Sequence, residues 1–393
     1  MTPRLMLASL TDPSRFPFPQ LWAGVTLLLG CATTNAQWVA TPLFSGDPLT
    51  HSVAVATNGS SHAGTVGNGS PYASLISSAD PARAVLWAAG GAATLLQPGL
   101  PSQVSALYGA SQGGSVLIDG SSNAALWNGV AGVFANLHPI GYTSSRIVAM
   151  SATQQGGSAE LDSVQHGGLW SGTAGSFVDL HPVGATRSAV GALSSNRQGG
   201  AVSFAPGAGA TFGAALWTGS AESFISMNPP GATLSLIDAL TDDYEAGYAY
   251  FGGVCHAGLW FGSAESFVSL QPANAIFSRV AAVAGGFQGG SAAMDELHAA
   301  VWQGSSASYL DLHDSVIAAL GGSFTRSEIL GGSLDEFGNP VFVGYAYNPE
   351  AFLYQAVVWT MASIPEPSTY AVLSAILMLA ICLVHRVRAK PRA

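Results

Sequence analysis

"HGGLWSGTAGSFVDLHPVGAT", residues 166–186, is written again further along the chain as "GAALWTGSAESFISMNPPGAT" (213–233), "HAGLWFGSAESFVSLQPANAI" (256–276) and "HAAVWQGSSASYLDLH" (298–313). The tryptophans mark the period. Trp87, Trp127, Trp170, Trp217, Trp260, Trp302 and Trp359 are 40, 43, 47, 43, 42 and 57 residues apart, and Trp38 precedes Trp87 by 49. A Gly pair follows further along each unit, as in "QGGS" at 112–115, 155–158 and 288–291 or "QGGA" at 198–201.

Each unit reads as four short strands. One ends in Leu-Trp and turns through a Ser/Gly/Thr hairpin; a second, of the "SFVDL" type, runs into a Pro-Gly loop. A third passes through "SAVGAL" and a fourth begins at the Gly pair. No ten-residue stretch of 3.6 periodicity interrupts them. Four-stranded units of roughly 40 to 50 residues are the signature of an all-β propeller. The interval from Trp38 to Trp359 holds seven periods, so seven blades are expected, with six as the alternative, over residues 37–362.

The composition agrees with stacked sheets. Mean hydropathy is +0.35 with 9% charged residues, yet no stretch between the two ends is long and apolar enough to span a bilayer. Sheets covered on both faces read as near-continuous apolar runs. The recurring Trp is then a wedge between sheets, and small Ala and Gly let the sheets approach. "GAGATFG" (207–213) has the wrong glycine spacing and no crossover helix for a dinucleotide loop. Between residues 37 and 364 the chain has no lysine and six arginines against twenty acidic residues, which argues against nucleic acid as a partner. Cys255 alone lies in the body, so no disulfide or thiolate zinc site is available within it.

Six histidines hold repeat positions. His138, His181 and His313 each follow their tryptophan by eleven residues, where other units have Asn228 and Gln271; His166, His256 and His298 each precede theirs by four. If the strands alternate in direction, both sets gather at one end of the propeller. Asp119, Glu160, Asp162, Asp295, Glu296, Asp335 and Glu336, which come after Gly pairs, are expected there too. This acidic, His-bearing face is the candidate ligand face. Repetition with polar substitutes favours a hydrogen-bonding role over catalysis, and hairpin chemistry accounts for Asp in such turns. No metal site and no cofactor is expected, with calcium the minor alternative. Asp242, Asp243 and Glu245 lie earlier in their unit, so their face is open.

The two ends read as addresses. Arg4 and Arg15, the apolar "LWAGVTLLLG" (21–30) and the small, polar "CATTNA" read as a secretory signal peptide over residues 1–36, cut by signal peptidase after Ala36. "LLGC" offers lipidation at Cys31 as the alternative. At the other end, over 363–393, Pro365-Glu366-Pro367 precedes a single hydrophobic helix expected at 370–384 and a basic stop of Arg386, Arg388, Lys390 and Arg392. The cations would stay cytoplasmic, leaving the body outside.

This tail resembles the PEP-CTERM sorting signal of Gram-negative bacteria that make extracellular polysaccharide. The resemblance covers about the last thirty residues. It implies recognition by an exosortase, a membrane cysteine transpeptidase, an inner-membrane precursor, and release of the body to the cell surface or the biofilm matrix. An ordinary tail anchor is the rival. The expected function is therefore non-enzymatic binding of exopolysaccharide or matrix proteins through one propeller face. The alternative is a carbohydrate-active propeller, a polysaccharide lyase or glycosidase.

Overall fold

A computed structural model describes residues 37–44, 50–67, 81–89, 91–205 and 211–362. The signal segment with Ala36 and Cys31 lies outside the described residues. So do Pro365 to Pro367, the 370–384 segment and the four terminal cations. Trp38–Ala362 forms one compact unit. Among the described residues no helix is long and apolar enough to cross a membrane.

The unit is a β-propeller of four-stranded antiparallel meanders. Arg187–Leu193, Gln198–Ser203, Gly213–Trp217 and Ile225–Ser226 pair consecutively in one sheet, and the pattern recurs around the molecule. Leu234–Ser269 and Phe277–Asp311 each repeat it, and a single parallel bridge, Cys255 to Phe277, joins them into one eight-stranded sheet. The first strand of each meander is innermost. These inner strands are His51–Thr57, Ser102–Tyr108, Ser144–Met150, Arg187–Leu193, Leu234–Leu240, Phe277–Ala284 and Arg326–Leu334. Each touches the next and the last touches the first, closing a ring around a central channel. In the last sheet Trp38–Pro42 pairs with Leu353–Met361, so both ends of the unit are bonded into one sheet.

The Gly pair follows from this geometry. Every inner strand bulges at the same point, for example between Val190 and Ala192 or between Ile237 and Ala239. The bulge presses the inner strand onto the second. A Cβ on Gly200 would sit 2.0 Å from the Ala189 carbonyl oxygen, so only glycine fits. A Cβ on Gly199 would meet Ile237 of the next sheet at 2.5 Å. One glycine serves the pairing within a sheet and the other the packing between sheets.

The tryptophans from Trp87 to Trp302 close their third strands, Trp359 stands two residues before the end of its own, and all seven are fully buried. Most stack on the outer-strand aromatic of their own unit, as Trp170 does on Phe177 at 4.9 Å. Trp38 is different. It lies on the outermost strand of the last sheet, against Phe287 and Phe342 and opposite Met361, whereas Ala40 stands opposite Trp359; Trp38 is therefore no member of the repeat. The period counted from Trp38 therefore starts on the wrong residue. A further departure is the helix His313–Leu320, which replaces the Pro-Gly loop of the other units and buries Val316.

Candidate functional site

Alternating strands give the propeller two ends. The loops from outer to next inner strand and the hairpins between second and third strands open at one, here the histidine end. The hairpins between inner and second strands open at the other. His138, His166, His181, His256, His298 and His313 all lie toward the histidine end, with Asp119, Glu160, Asp162, Asp295 and Glu296. Asp335 and Glu336 do not. They sit in the hairpin between Arg326–Leu334 and Pro340–Asn348, at the opposite end. The cause is local. The "GGS" of residues 331–333 belongs to an inner strand, and the true pair position of that unit is Val343-Gly344, opposite the bulge. Asp242 and Asp243 lie at that opposite end as well.

Most nominated groups at the histidine end are bonded within the repeat. His181 Nδ1 lies 2.8 Å from Ser188 Oγ and its Nε2 lies 3.0 Å from the Ala185 carbonyl; His138 and His313 repeat this with Ser145 and Ser327. The same serine Oγ accepts a backbone N–H of the preceding sheet, from Gly167 in the case of Ser188. Asn228 and Gln271 meet Ser235 and Ser278 in the same way. These side chains clip each connecting loop to the inner strand it enters.

The "DLH" sequences add a carboxylate. Asp179 Oδ2 is 2.7 Å from His166 Nδ1 and accepts from Tyr142 OH at 3.2 Å, while His166 and His181 stack at 4.0 Å. Asp311 holds His298 at 2.7 Å, and His298 stacks on His313 at 4.1 Å. The hydrogen bond that His298 donates to Asp311 raises the His298 pKa, whereas burial lowers those of His313 and His181. His256 Nδ1 lies 3.2 Å from Ser269 Oγ, and its ring packs edge-on against Phe251. Among the described residues no group of three or more His, Cys, Asp or Glu is placed to hold a metal ion.

The acids are largely turn and strand chemistry. Asp119 and Asp162 have φ of 49° and 51° in two-residue hairpins, a conformation Asp tolerates by local hydrogen bonding. Glu160 accepts from Ser144 Oγ, Glu296 pairs with Arg326, and Asp295 accepts the Glu296 N–H. Asp335 accepts from the backbone of Phe337 and Asn339 and from the Asn339 side chain, which holds its pKa down.

The channel carries charges that do not repeat. The bulged residue of each inner strand is half-buried along the lumen and is apolar or small, as in Val148, Gly191 and Ala281, except for Asp238. Burial raises the Asp238 pKa; Arg279 opposes that shift and Glu328 adds to it. Two residues before the bulge, on the side of the histidine end, stand Arg146, Arg279 and Glu328, where other strands have Val53, Ala189 and Leu236. The buried Glu328 carboxylate accepts from Tyr345 OH at 3.0 Å and Ser291 Oγ at 3.1 Å, with Arg279 Nε at 3.6 Å. At the opposite mouth a pocket of ≈ 500 Å³ is lined by Tyr108, Ser151, Thr153, Ser195, Thr241 and Asp242 among others. Sequence reading missed Arg146, Asp238, Arg279 and Glu328. Their signal was a charge standing at an apolar position of the "SAVGAL" strand.

No protein-family model and no curated protein sequence matches the chain. Its fold is similar to a puromycin-hydrolyzing peptidase from Mycobacterium tuberculosis, at 10% identity and a TM-score of 0.54 over 81% of this chain and 55% of that one. It is also similar to the beta-propeller domain of the Trilobed protease from Pyrococcus furiosus, at 10% identity, a TM-score of 0.49 and coverage of 83% and 94%. A putative TolB from Agrobacterium tumefaciens aligns at 10% identity and a TM-score of 0.42, over 60% of this chain and 88% of that one. At such identities the likeness extends to the fold alone.

Proposed function

We propose that the protein is an exported, seven-bladed β-propeller, sorted by its PEP-CTERM-like tail to the cell surface or the extracellular matrix, where it binds polysaccharide. The ligand enters the channel from the histidine end, and the blades act as a rigid frame that holds the binding groups in place. One observation carries this reading. The repeated polar residues are spent on internal clips, whereas the charges that break the repeat are concentrated on the inner strands. Charges in a small, apolar lumen cost stability, and local departures from an otherwise consistent pattern are expected at functional positions.

The test is the intact mass of the protein recovered from the producing cells' matrix and from their membranes, together with retention of the cells' own polysaccharide by the purified full chain. The expected matrix form begins near Gln37, ends near Pro365 and retains the polymer. A membrane form keeping Arg386 to Arg392, with no polymer bound, overturns it.

A carbohydrate-active enzyme is the second reading, favoured by two carboxyl groups on inner strands that feel one another, Asp238, whose pKa burial raises, and Glu328. A pair of carboxyl groups is the raw material of glycoside cleavage. Release of new reducing ends or unsaturated products by the purified protein, lost in Asp238→Asn, would establish it in place of pure binding.

A further inference from the structure

We infer that the mouth of the channel at the histidine end is a site for a carboxylate-bearing polysaccharide, a polymer of uronic acid residues. This rests on the binding reading above and names its ligand class.

The argument starts from how few cations the body has and where they are. Of the six arginines between residues 37 and 364, four lie on inner strands: Arg146, Arg187, Arg279 and Arg326. All four precede the bulge of their strand, in the half that leads to the histidine end. Glu328 is the one carboxylate on the same half-strands, while the other acids of that end sit farther out, around the hairpins between second and third strands, on outer strands (Asp179, Asp311) or in the helix that follows one (Asp314). A strongly acidic body thus turns a cationic ring toward its axis. The field of such a ring draws anions into the mouth and away from the acidic periphery.

Two of the four are not neutralised. Arg146 has no carboxylate within 4 Å among the described residues, and its nearest partner is Ser158 Oγ, 3.4 Å from Nε. Its side chain is open to solvent, yet burial lowers its pKa. Both hold for a side chain that reaches water inside a lumen walled by protein. Arg187 is exposed and likewise has no ion pair among the described residues. Keeping a guanidinium unpaired and partly desolvated is unfavourable unless an anion fills its fork.

The spacing selects the ligand. Arg146 and Arg187 stand on neighbouring inner strands, and a chain with carboxylates at intervals can place one in each guanidinium fork. Aromatic faces stand beside the cations. Tyr347 lies opposite Arg326 in register, and Tyr250 lies opposite Leu234 in the preceding sheet but one. Both are half-buried, and Tyr347 packs on Tyr354 at 4.5 Å. Phenol faces suit the C–H faces of sugar rings, which an acidic peptide does not offer.

The experiment is calorimetric titration of the purified full chain with oligogalacturonate, its methyl ester and poly-L-glutamate. Oligogalacturonate should bind, and more weakly as salt rises. The methyl ester and poly-L-glutamate should bind at least tenfold more weakly. Arg146→Gln and Arg187→Gln, each with unchanged Tm, should lower the oligogalacturonate affinity by about tenfold, the loss of one charged hydrogen-bonding pair. Equal binding of the methyl ester, or no effect of either substitution, overturns the inference and leaves the polysaccharide scaffold standing. Equal binding of poly-L-glutamate moves the site to acidic peptides. Failure to retain either polymer or the host's own polysaccharide overturns the inference and the scaffold reading together.

Discussion

His181 Nδ1 lies 2.8 Å from the buried Ser188 Oγ. Ser188 also accepts the Gly167 N–H at 2.8 Å, so one hydroxyl ties a loop, an inner strand and the third strand of the preceding sheet together. Ser188→Ala leaves that buried N–H and one imidazole nitrogen without a partner, and the cost expected is about 1–3 kcal/mol. Denaturant unfolding should show a lower midpoint at an unchanged slope. An exposed hydroxyl such as Ser195, replaced by Ala, should cost less than about 0.5 kcal/mol. Equal effects of the two would remove the clip from the stability argument.

Glu245 occupies the place held by Gln112, Gln155, Gln198 and Gln288, each of which accepts a glycine N–H two residues after the tryptophan. Glu245 accepts the Gly262 N–H with one oxygen, and its other oxygen takes Arg197 of the neighbouring sheet. The carboxylate is fully buried. Arg197→Ala strands that charge and should cost about 3–5 kcal/mol. Arg197→Ala/Glu245→Gln installs the repeat's own glutamine, keeps the acceptor for Gly262 and should recover most of the loss. A double variant no more stable than Arg197→Ala would mean that the arginine acts through its bonds to the Thr241 and Asp242 carbonyls instead.

The Gly pair permits a sharper contrast. A Cβ at Gly200 would lie 2.0 Å from a backbone oxygen, whereas nothing stands within 4 Å of one at Gly175. Gly200→Ala must move an inner strand off its partner, and a loss of about 3 kcal/mol or more, or failure to fold, is expected. Gly175→Ala should fall within about 0.5 kcal/mol of the parent. Comparing thermal midpoints of the two decides whether the bulge fixes the glycine.

What the repeat encodes was legible in the sequence, and what breaks it was not. The recurrence of Leu-Trp, the Gly pair and the polar residue eleven after Trp reflects contacts made again in each sheet, so one alignment shows them all. The four-stranded unit and the bonding role of His138, His181 and His313 could be read that way. Asp335 was misplaced because "GGS" at 331–333 imitates the pair without standing opposite a bulge, while the glycine that does, Gly344, follows Val343 instead of a second glycine. Trp38 was misplaced because pairing of the first strand with the last sheet is a long-range closure that no local pattern records. Asp238, Arg146 and Arg279 went unnoticed because their meaning depends on the lumen, which exists only once the ring has closed.

His62 stands where most other units have glutamine, in register with Trp87, and its Nδ1 lies 2.9 Å from Thr57 Oγ1. Burial lowers its pKa from 6.5 to about 4. The folded protein thus keeps the imidazole neutral while the unfolded chain protonates it as the pH falls below about 6.5. Stability from this site is complete above that pH and is lost progressively down to about 4, because the unfolded state binds the proton first. A shift of this size corresponds to a loss on the order of 2–3 kcal/mol over the window. His62→Gln restores the repeat residue and removes the titration. The stability difference between parent and variant, followed by denaturant unfolding from pH 7.5 to 4, should therefore move steadily in the variant's favour as the pH falls. A difference that stays constant across that range would mean that protonated His62 is accommodated in the fold, with its ring turned out to solvent.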